Sequence, residues 1–320
     1  ITANIRGINT CGKRQTLANK WEKECVDMAL LTEVQKNTGG MEKEGQWGKY
    51  TVFFSTGINP KKREEMEQNR EKKAAETKKK RRKKRGKPDP TPIAKPKPKR
   101  NKIQTTQTKQ IQFSGASKKN ADYEHAGVAI AVHRRLIKTV EEVREISGRN
   151  ITAILDTGSG KTSFTATYGP TAEASEKNKN IYWEELSKEM EHNRNCIKIV
   201  AGDFNARMYE IQADEAGFFG TNIIHREGYL AKGIATNTRD NRSRFVEFAK
   251  TQEMAVINTI ITKPPHKRVT YKEKVPQHNP DKEEYQGEDS GPYDHTKYAQ
   301  CDYWLVDKTH QCIFKDCESK

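Results

Sequence analysis

The sequence predicts an α/β fold in which strands and helices stack in layers. Short β-rich runs alternate with amphipathic segments along most of the chain, and no Gly-rich dinucleotide-binding turn follows a strand. The length of 320 residues, of which 33% are hydrophobic, is sufficient for one large core. This alternation favours a layered α/β fold over an all-α or an all-β one.

The N-terminal part of the chain contains several predicted strands and one helix. Strands are predicted at residues 2–8, 26–34 and 50–55, and again from His125, where the sequence reads HAGVAIAVH. Between the first two strands, Leu17, Trp21 and Cys25 recur at i, i+4 and i+8 and give residues 13–24 one apolar helical face.

The C-terminal part continues the same alternation. A hairpin is predicted around TGSGK, a helix at 174–192 has Ile181, Leu186 and Met190 facing inward, and a second helix is predicted at about 242–253. Further strands are predicted at residues 197–201, 255–258, 268–271 and 302–306.

The patterning fails between residues 59 and 113. Residues 61–110 contain 21 Lys/Arg and 6 Asp/Glu, so this stretch carries +15 of the formal net charge of +16. Its composition, TKKKRRKKR followed by PDPTPIAKPKPKR, cannot bury enough apolar surface to offset the entropy of ordering. We therefore expect residues 59–113 to be a disordered insertion within a single domain that spans residues 1–320.

The basic run inside this insertion has three possible readings, as a nuclear localisation signal, a nonspecific DNA tether or a solvated charge run. Clustered Lys and Arg gain free energy by displacing counterions from phosphates, so a polyanion is the expected partner. We expect import into the nucleus together with DNA tethering. The candidate nucleic-acid-binding residues are Lys78, Lys79, Lys80, Arg81, Arg82, Lys83, Lys84 and Arg85.

Other function classes find little support in the sequence. The six cysteines form no CxxC pair and are too dispersed for a disulfide framework. No apolar run approaches the roughly 18 residues that a membrane span needs, so we expect no membrane partner.

Oxygen and amide side chains follow several predicted strands. Hydrolysis of a phosphodiester needs such groups, because negative charge must be neutralised and a water must be delivered in line. Each has an ordinary alternative: an Asn that forms a turn, a solvated Glu, or an Asx-turn in GDFN. The candidates are Asn4 in NIRG, Glu33 in LLTEVQ, Tyr168 in TYGPT, Asp203 and Asn205 in AGDFNA, and Asp302 in CDYWLV.

The order of these motifs resembles the endonuclease/exonuclease/phosphatase superfamily, whose members have the DNase I-like fold. The resemblance covers nearly the whole chain apart from the basic insertion and residues 275–300. RFVEFAKTQEMAVINT at 244–259 and YGPTAEAS are similar to the endonucleases of non-LTR (LINE-type) retrotransposons. The resemblance implies a four-layer sandwich of two mixed β-sheets with outer helices.

The resemblance also implies a role for each candidate residue. Glu33 would be the principal Mg²⁺ ligand, helped by Asn4, and Mn²⁺ would suit the same oxygen ligands. Asp203 would orient or deprotonate the attacking water. The remaining implied roles are phosphate binding by Asn205 and Tyr168, a catalytic aspartate at Asp302, and a nucleic-acid contact at Arg6, where some relatives carry a second acid.

The implied function is Mg²⁺-dependent nicking of one DNA strand, which leaves a 3′-hydroxyl for a reverse transcriptase domain on the same polypeptide. An abasic-site repair endonuclease or another phosphodiesterase of the superfamily is one alternative. A degenerate, noncatalytic nucleic-acid-binding protein is another. The family's Ser-Asp-His motif is absent before Lys320, so we expect a C-terminally truncated domain.

Overall fold

The structure is a computed structural model that describes residues 1–7, 12–34, 44–55, 112–114, 127–224, 236–272 and 298–318. In chain order, its strands are β1 (Thr2–Asn4), β2 (Met28–Thr32), β3 (Glu44–Trp47), β4 (Tyr50–Ser55), β5 (Gln112–Ser114), β6 (Val128–His133), β7 (Val140–Ser147), β8 (Asn150–Asp156), β9 (Lys161–Tyr168), β10 (Ile197–Asp203), β11 (Met254–Val256), β12 (Tyr271–Lys272), β13 (Tyr298–Ala299) and β14 (Asp302–Asp307). The helices are α1 (Lys13–Lys23), α2 (Glu176–His192), α3 (Thr236–Thr251) and the short α4 (Ile257–Ile260).

Two mixed sheets form the body of the chain. Sheet A has the order β1-β2-β6-β4-β3, and sheet B has the order β11-β14-β10-β9-β8-β7-β5. Each sheet combines parallel and antiparallel pairs: β1 is parallel to β2 and β9 is parallel to β10, whereas β2–β6 and β10–β14 are antiparallel. The predicted α/β class and DNase I-like sandwich are confirmed.

The apolar runs of sheet A are buried on both faces. In β2, Leu30 packs with Phe53 and Ile130 and with Ala201 of sheet B, which forms the core between the sheets. The alternate residue Leu31 instead packs with Trp21 of α1. Because successive strand residues face opposite sides, a strand between a helix layer and a second sheet is apolar at every position.

The outer layer over sheet B consists of α2 and α3. Ser175 caps α2 by accepting a hydrogen bond from the Asn178 N–H at 3.4 Å. Leu186 and Met190 are buried as predicted, but the predicted core residue Ile181 is only half-buried and its neighbour Tyr182 is fully buried instead. Together with α1, this layer completes the order helix, sheet, sheet, helix.

Several predicted boundaries are wrong. The strand predicted at 255–258 ends at Val256, where α4 begins, and only Tyr271 of the stretch 268–271 lies in a strand. The sequence analysis missed β3 and β7. In β7 the buried residues are Val140, Val143, Glu145 and Ser147, and the residues between them are half-buried, so its sequence lacks a regular apolar pattern.

The predicted basic insertion lies outside the described residues, except that Gln112 and Phe113 belong to β5. The disorder predicted there and the single-domain boundaries therefore stay predictions. In the part of the chain that the structure describes, no helix is long and apolar enough to cross a membrane.

Candidate active site

Asn4 and Glu33 lie side by side at the ends of two parallel strands. Asn4 pairs in register with Thr32, and Glu33 follows directly. Glu33 has a φ of 51°, a left-handed conformation that is uncommon for a non-glycine residue, and its carbonyl accepts a 2.7 Å hydrogen bond from the Gly7 N–H. The backbone thus turns sharply at the point where the predicted metal ligand stands.

Three strand ends of sheet B bring a second group of candidates together. Asp203 at the end of β10 pairs in register with Tyr168 of β9 on one side and with Asp302 of β14 on the other. The Tyr168 hydroxyl donates a 3.3 Å hydrogen bond to Glu33 Oε1 and so connects the two sheets. Strands from both sheets therefore deliver the predicted residues to one place.

These strand ends open into a cleft of about 630 Å³. Asn4 and Arg6 line one side of it, and Asp203 and Asp302 line the other. The cleft is lined in addition by Lys13, Lys20, Asn258, Lys267, Arg268, Thr270 and Tyr271, among others. It is open to solvent and combines acidic strand ends with basic residues, as a polyanionic substrate and a cation would require.

The backbone approach between β9 and β10 is unusually close. Gly202 has a φ of 151°, and a Cβ atom there would lie 1.9 Å from the Thr167 carbonyl oxygen. A Cβ at Gly169 would lie 2.5 Å from the Phe204 carbonyl oxygen. Only glycine fits at either position, so packing requires the glycine of GDFN and the glycine of TYGPT.

Asn205 is fixed at both its backbone and its side chain. Its N–H donates to Asp203 Oδ1 at 2.8 Å, so the Asx-turn considered from the sequence is present. Its side-chain Nδ2 donates to the Gly169 carbonyl at 2.9 Å. A primary amide has two N–H donors and an oxygen acceptor, and none of the described residues bonds the second N–H or Oδ1, so both can bind a ligand.

Asp302 is supported by two residues for which the sequence analysis assigned no role. Asn258 Nδ2 donates to the Asp302 carbonyl at 2.9 Å, and Thr270 Oγ1 accepts from the Asp302 N–H at 3.1 Å. Asn258 lies in the segment RFVEFAKTQEMAVINT, and Thr270 lies in the strand predicted at 268–271. The motifs were visible in the sequence, but the contacts they make across the fold were not.

The two aspartates are protonated more readily than ordinary carboxyls. Burial raises the pKa of Asp203 well above its usual value, and the charge of Asp302 raises it further. Burial also raises the pKa of Asp302 to about 6, although a hydrogen bond from Thr270 opposes the rise. A carboxylate whose pKa lies closer to neutrality is a better proton acceptor at physiological pH.

Tyr168 remains a neutral hydrogen-bond donor. Burial raises its pKa to about 12, with further contributions from the charges of Glu33 and Asp203, whereas the charge of Arg149 lowers it. At neutral pH its hydroxyl therefore keeps its proton and can donate to a phosphate oxygen.

The donor set fits a hydrated Mg²⁺ ion. Among the described residues no group of three His, Cys, Asp or Glu side chains is close enough to bind one metal ion. Mg²⁺, however, commonly binds one or two carboxylates and keeps several waters, which the carboxylate of Glu33 and the amide oxygen of Asn4 would satisfy. Glu33, Asp203 and Asp302 form no ion pair with Lys or Arg within the described residues, so their charge favours a cation.

The predicted nucleic-acid contacts are only partly described. Arg6 is exposed in the cleft wall with a φ of 43°. The basic run at residues 78–85 lies outside the described residues. Two residues that the sequence analysis did not single out bond the main chain of the site: Arg149 donates to the Tyr168 carbonyl, and Asn241 donates to the Asn205 carbonyl.

Comparisons with known proteins agree on the fold. No family model matches the chain, and no curated protein matches it. The AP endonuclease LMAP from Leishmania major aligns with a TM-score of 0.50 and 12% identity, over 97% of this chain and 79% of that one. A 3′ phosphatase, NExo, from Neisseria bound to product DNA hairpin aligns with a TM-score of 0.51 and 13% identity, over 98% and 88%.

The endonuclease domain of TRAS1, a telomere-specific non-LTR retrotransposon, aligns with a TM-score of 0.41 and 10% identity, over 96% of this chain and 83% of that one. This score is too low to indicate which branch of the fold the chain resembles most. The comparisons and the sheet topology together show that the chain has the DNase I-like fold.

Proposed function

We propose that the chain is a metal-dependent endonuclease that hydrolyses a phosphodiester bond of DNA. The observation that carries the proposal is that strands of both sheets bring Asn4, Asp203 and Asp302 to one open cleft, while Glu33 lies next to Asn4 and accepts a hydrogen bond from Tyr168. A hydrophobic core does not require Asp203 and Asp302 to pair at adjacent strand ends of sheet B, because the burial of carboxylates raises the free energy of the folded state.

Each side chain has a role that its environment supports. Asp203, whose pKa is raised, accepts a proton from the attacking water, and the water oxygen forms the new bond to phosphorus. The bond to O3′ breaks, and O3′ takes a proton from solvent to become the 3′-hydroxyl. Tyr168 and the second N–H of Asn205 donate hydrogen bonds to the phosphate oxygens. The negative charge of Asp302 raises the pKa of the neighbouring Asp203.

Glu33 and Asn4 are the residues that would bind Mg²⁺, or Mn²⁺ in its place. When bound, the ion supplies positive charge that stabilises the phosphorane-like transition state. Its binding would also lower the pKa of the neighbouring carboxyls, because a cation favours their charged form.

The test is nicking of supercoiled plasmid in Mg²⁺ by the wild-type chain, Asp203→Ala and Glu33→Ala. We expect Asp203→Ala to lower the rate roughly 100- to 10,000-fold, the usual contribution of a general base, and Glu33→Ala to lower the rate through the loss of a metal ligand. Asp156→Ala is the matched control, because Asp156 also ends a strand of sheet B but accepts a bond from Gly158 in a hairpin away from the cleft. DNA binding without metal-dependent nicking would favour the noncatalytic alternative.

The substrate is tested by comparing three DNAs in the same assay. Nicking of an intact duplex is expected. Cleavage confined to an abasic-site duplex, or removal of a 3′ phosphate without nicking, would favour the repair-type alternatives, in line with the activities named for the two structures compared above.

We propose further that the nuclease serves a retrotransposon, with a reverse transcriptase on the same parent polypeptide that extends the 3′-hydroxyl. The similarity of residues 244–259 and of YGPTAEAS to LINE-type endonucleases supports this. Extension of the nicked strand by the full parent polypeptide, measured with labelled nucleotides, is the expected result. Nicked ends that carry a 3′ phosphate would contradict it.

Residues 61–110 are proposed to bring the protein to the nucleus and to chromosomal DNA. Deletion of these residues is expected to abolish nuclear accumulation and to reduce the dependence of DNA affinity on salt, since fewer counterions are released. Retention of both properties would overturn the proposal.

A further inference from the structure

Arg149 contacts the main chain at the catalytic tyrosine. It lies in the tight turn between β7 and β8, where its N–H bonds to Ser147 Oγ at 3.3 Å and its carbonyl accepts from the Tyr168 N–H at 2.9 Å. From there, its Nη1 donates to the carbonyl oxygens of Tyr168 and Gly169, at 3.1 Å each. One guanidinium nitrogen thus bonds two successive carbonyls at the end of β9.

The same guanidinium lies over the ring of Tyr168. Arg149 Cζ is 5.3 Å from the ring centroid, within the range of a cation–π contact. The hydroxyl of that ring is the group that donates to Glu33. Arg149 therefore restricts both the main chain of Tyr168 and the rotation of its phenol.

Arg149 also shares an acceptor with Asn205. The Gly169 carbonyl accepts from Arg149 Nη1 and from Asn205 Nδ2, and a carbonyl oxygen has two lone pairs for two donors. The position of this oxygen determines the direction in which the amide of Asn205 points. Displacement of the carbonyl would therefore turn the second N–H of Asn205 away from a bound phosphate.

We propose that Arg149 is a positioning residue of the nuclease site, which sets the orientation of the Tyr168 phenol and of the Asn205 amide through the Gly169 carbonyl. The inference rests on the proposed nuclease function. In this role Arg149 acts on the rate of the chemical step and does not itself contact DNA. A direct contact between Arg149 and a phosphate would instead act on affinity.

The experiment measures kcat and KM for nicking of a defined oligonucleotide duplex by the wild-type chain and by Arg149→Met. We expect kcat to fall roughly 10- to 100-fold, the usual cost of misplaced catalytic groups, while KM stays within about twofold. The salt dependence of DNA affinity should not change, because no phosphate contact is lost. The kcat of Arg149→Lys should lie between the kcat of the wild type and that of Arg149→Met, since an ammonium cannot reproduce the planar stacking.

Arg144→Met is the matched control for folding. Arg144 is also a partly buried arginine of this sheet, and it bonds Glu142 and Glu189 rather than the site. Its loss should lower the melting temperature but leave kcat unchanged. Methylguanidinium, but not methylammonium, should restore part of the activity of Arg149→Ala, which a merely destabilised protein would not show.

Two results would overturn the inference while the nuclease function stands. These are an unchanged kcat in Arg149→Met, or an increased KM together with a weaker salt dependence of DNA affinity. If the wild-type chain and its Asp203→Ala variant are equally inactive in Mg²⁺ and Mn²⁺, the proposed function fails first and the inference fails with it. If Arg149→Met lowers kcat less in the Asn205→Ala variant than in the wild type, the result would support coupling of the two residues through Gly169.

Discussion

The two walls of the cleft are built differently. On sheet B, Asp203, Asn205 and Asp302 are each connected to neighbouring segments by hydrogen bonds: from Gly169 to Asp203, from Asn205 to Gly169, from Asn258 to Asp302 and from Asp302 to Thr270. On sheet A, Asn4 and Arg6 are exposed, and the Glu33 side chain accepts its bond from Tyr168 of the opposite wall.

This difference separates two kinds of catalytic group. Sheet B carries the proposed base and phosphate donors, which must be oriented before the substrate arrives if they are to stabilise a transition state without reorganisation. Sheet A carries the proposed metal ligands, whose final geometry is set when an ion and its waters bind. The sheet B wall should therefore tolerate backbone changes poorly, and the sheet A wall should respond to added cation.

The largest effect is expected from Gly202→Ala on the sheet B wall. A Cβ atom there would lie 1.9 Å from the Thr167 carbonyl oxygen, a collision with backbone that no rotamer can relieve. We expect a loss of roughly 4 kcal/mol or more in the free energy of unfolding, the range of severe core disruption. Urea denaturation followed by circular dichroism, or failure to recover folded protein, would measure it.

Gly160→Ala isolates the collision from the backbone strain. Gly160 has a similar positive φ of 140°, against 151° for Gly202, but it lies at a hairpin tip with nothing within 4 Å of a new Cβ. This variant should lose about 1 to 3 kcal/mol from strain alone and should keep its nicking activity. Equal losses in the two variants would show that close approach between β9 and β10 does not limit the wall.

The sequence predicted the site residues that lie in contiguous motifs, but not those that act through contacts with distant residues. Asp203 and Asn205 were found because GDFN is contiguous, and Glu33 and Asp302 because each follows or begins an apolar strand. Arg149 was not found, because its acceptors at Tyr168 and Gly169 are 19 and 20 residues away. Contacts between a side chain and distant main-chain carbonyls leave no residue pattern by which they can be recognised.

Asn241 illustrates the same limit. Its Nδ2 donates to the carbonyls of Pro170 and Asn205, which are 71 and 36 residues away. The sequence predicts only that this asparagine lies near a helix.

Strand β3 was missed for a different reason: it is short and contains Gly45, and glycine is disfavoured in strands.

The second-largest effect on stability is expected from the buried carboxyl of Asp302, whose ionisation destabilises the folded state. The pKa of Asp302 is about 6 in the folded protein, above its usual value of 3.8, so the folded chain binds this proton more tightly than the unfolded chain. Stability should therefore fall as the pH rises from about 4 to about 6 and remain lower above that. Asp302→Asn should unfold with about 1 to 3 kcal/mol more stability at pH 8, little change at pH 4, and lost nicking.

Asp214→Asn is a control of opposite sign. A hydrogen bond and the charge of Lys250 lower the pKa of Asp214, so its carboxylate stabilises the fold above pH 4. Its removal should reduce stability at pH 8 and have no effect at low pH. If Asp302→Asn were also less stable than the wild type at pH 8, ionised Asp302 would not destabilise the fold as we expect.

The smallest effect tests the sheet A wall. If Glu33 and Asn4 bind Mg²⁺ only in the folded chain, added Mg²⁺ stabilises the fold by mass action, by about 1 kcal/mol at tenfold excess over the dissociation constant. For a chain of this size we expect Tm to rise by about 1 to 3 °C, reversibly with EDTA, and more than with KCl of equal ionic strength. Glu33→Gln should lose this rise, whereas Glu24→Gln, which lines the cleft and precedes β2, should keep it. A rise that survives in Glu33→Gln would place the cation on the aspartates of sheet B, and the division between a preorganised wall and a metal-binding wall would then be wrong.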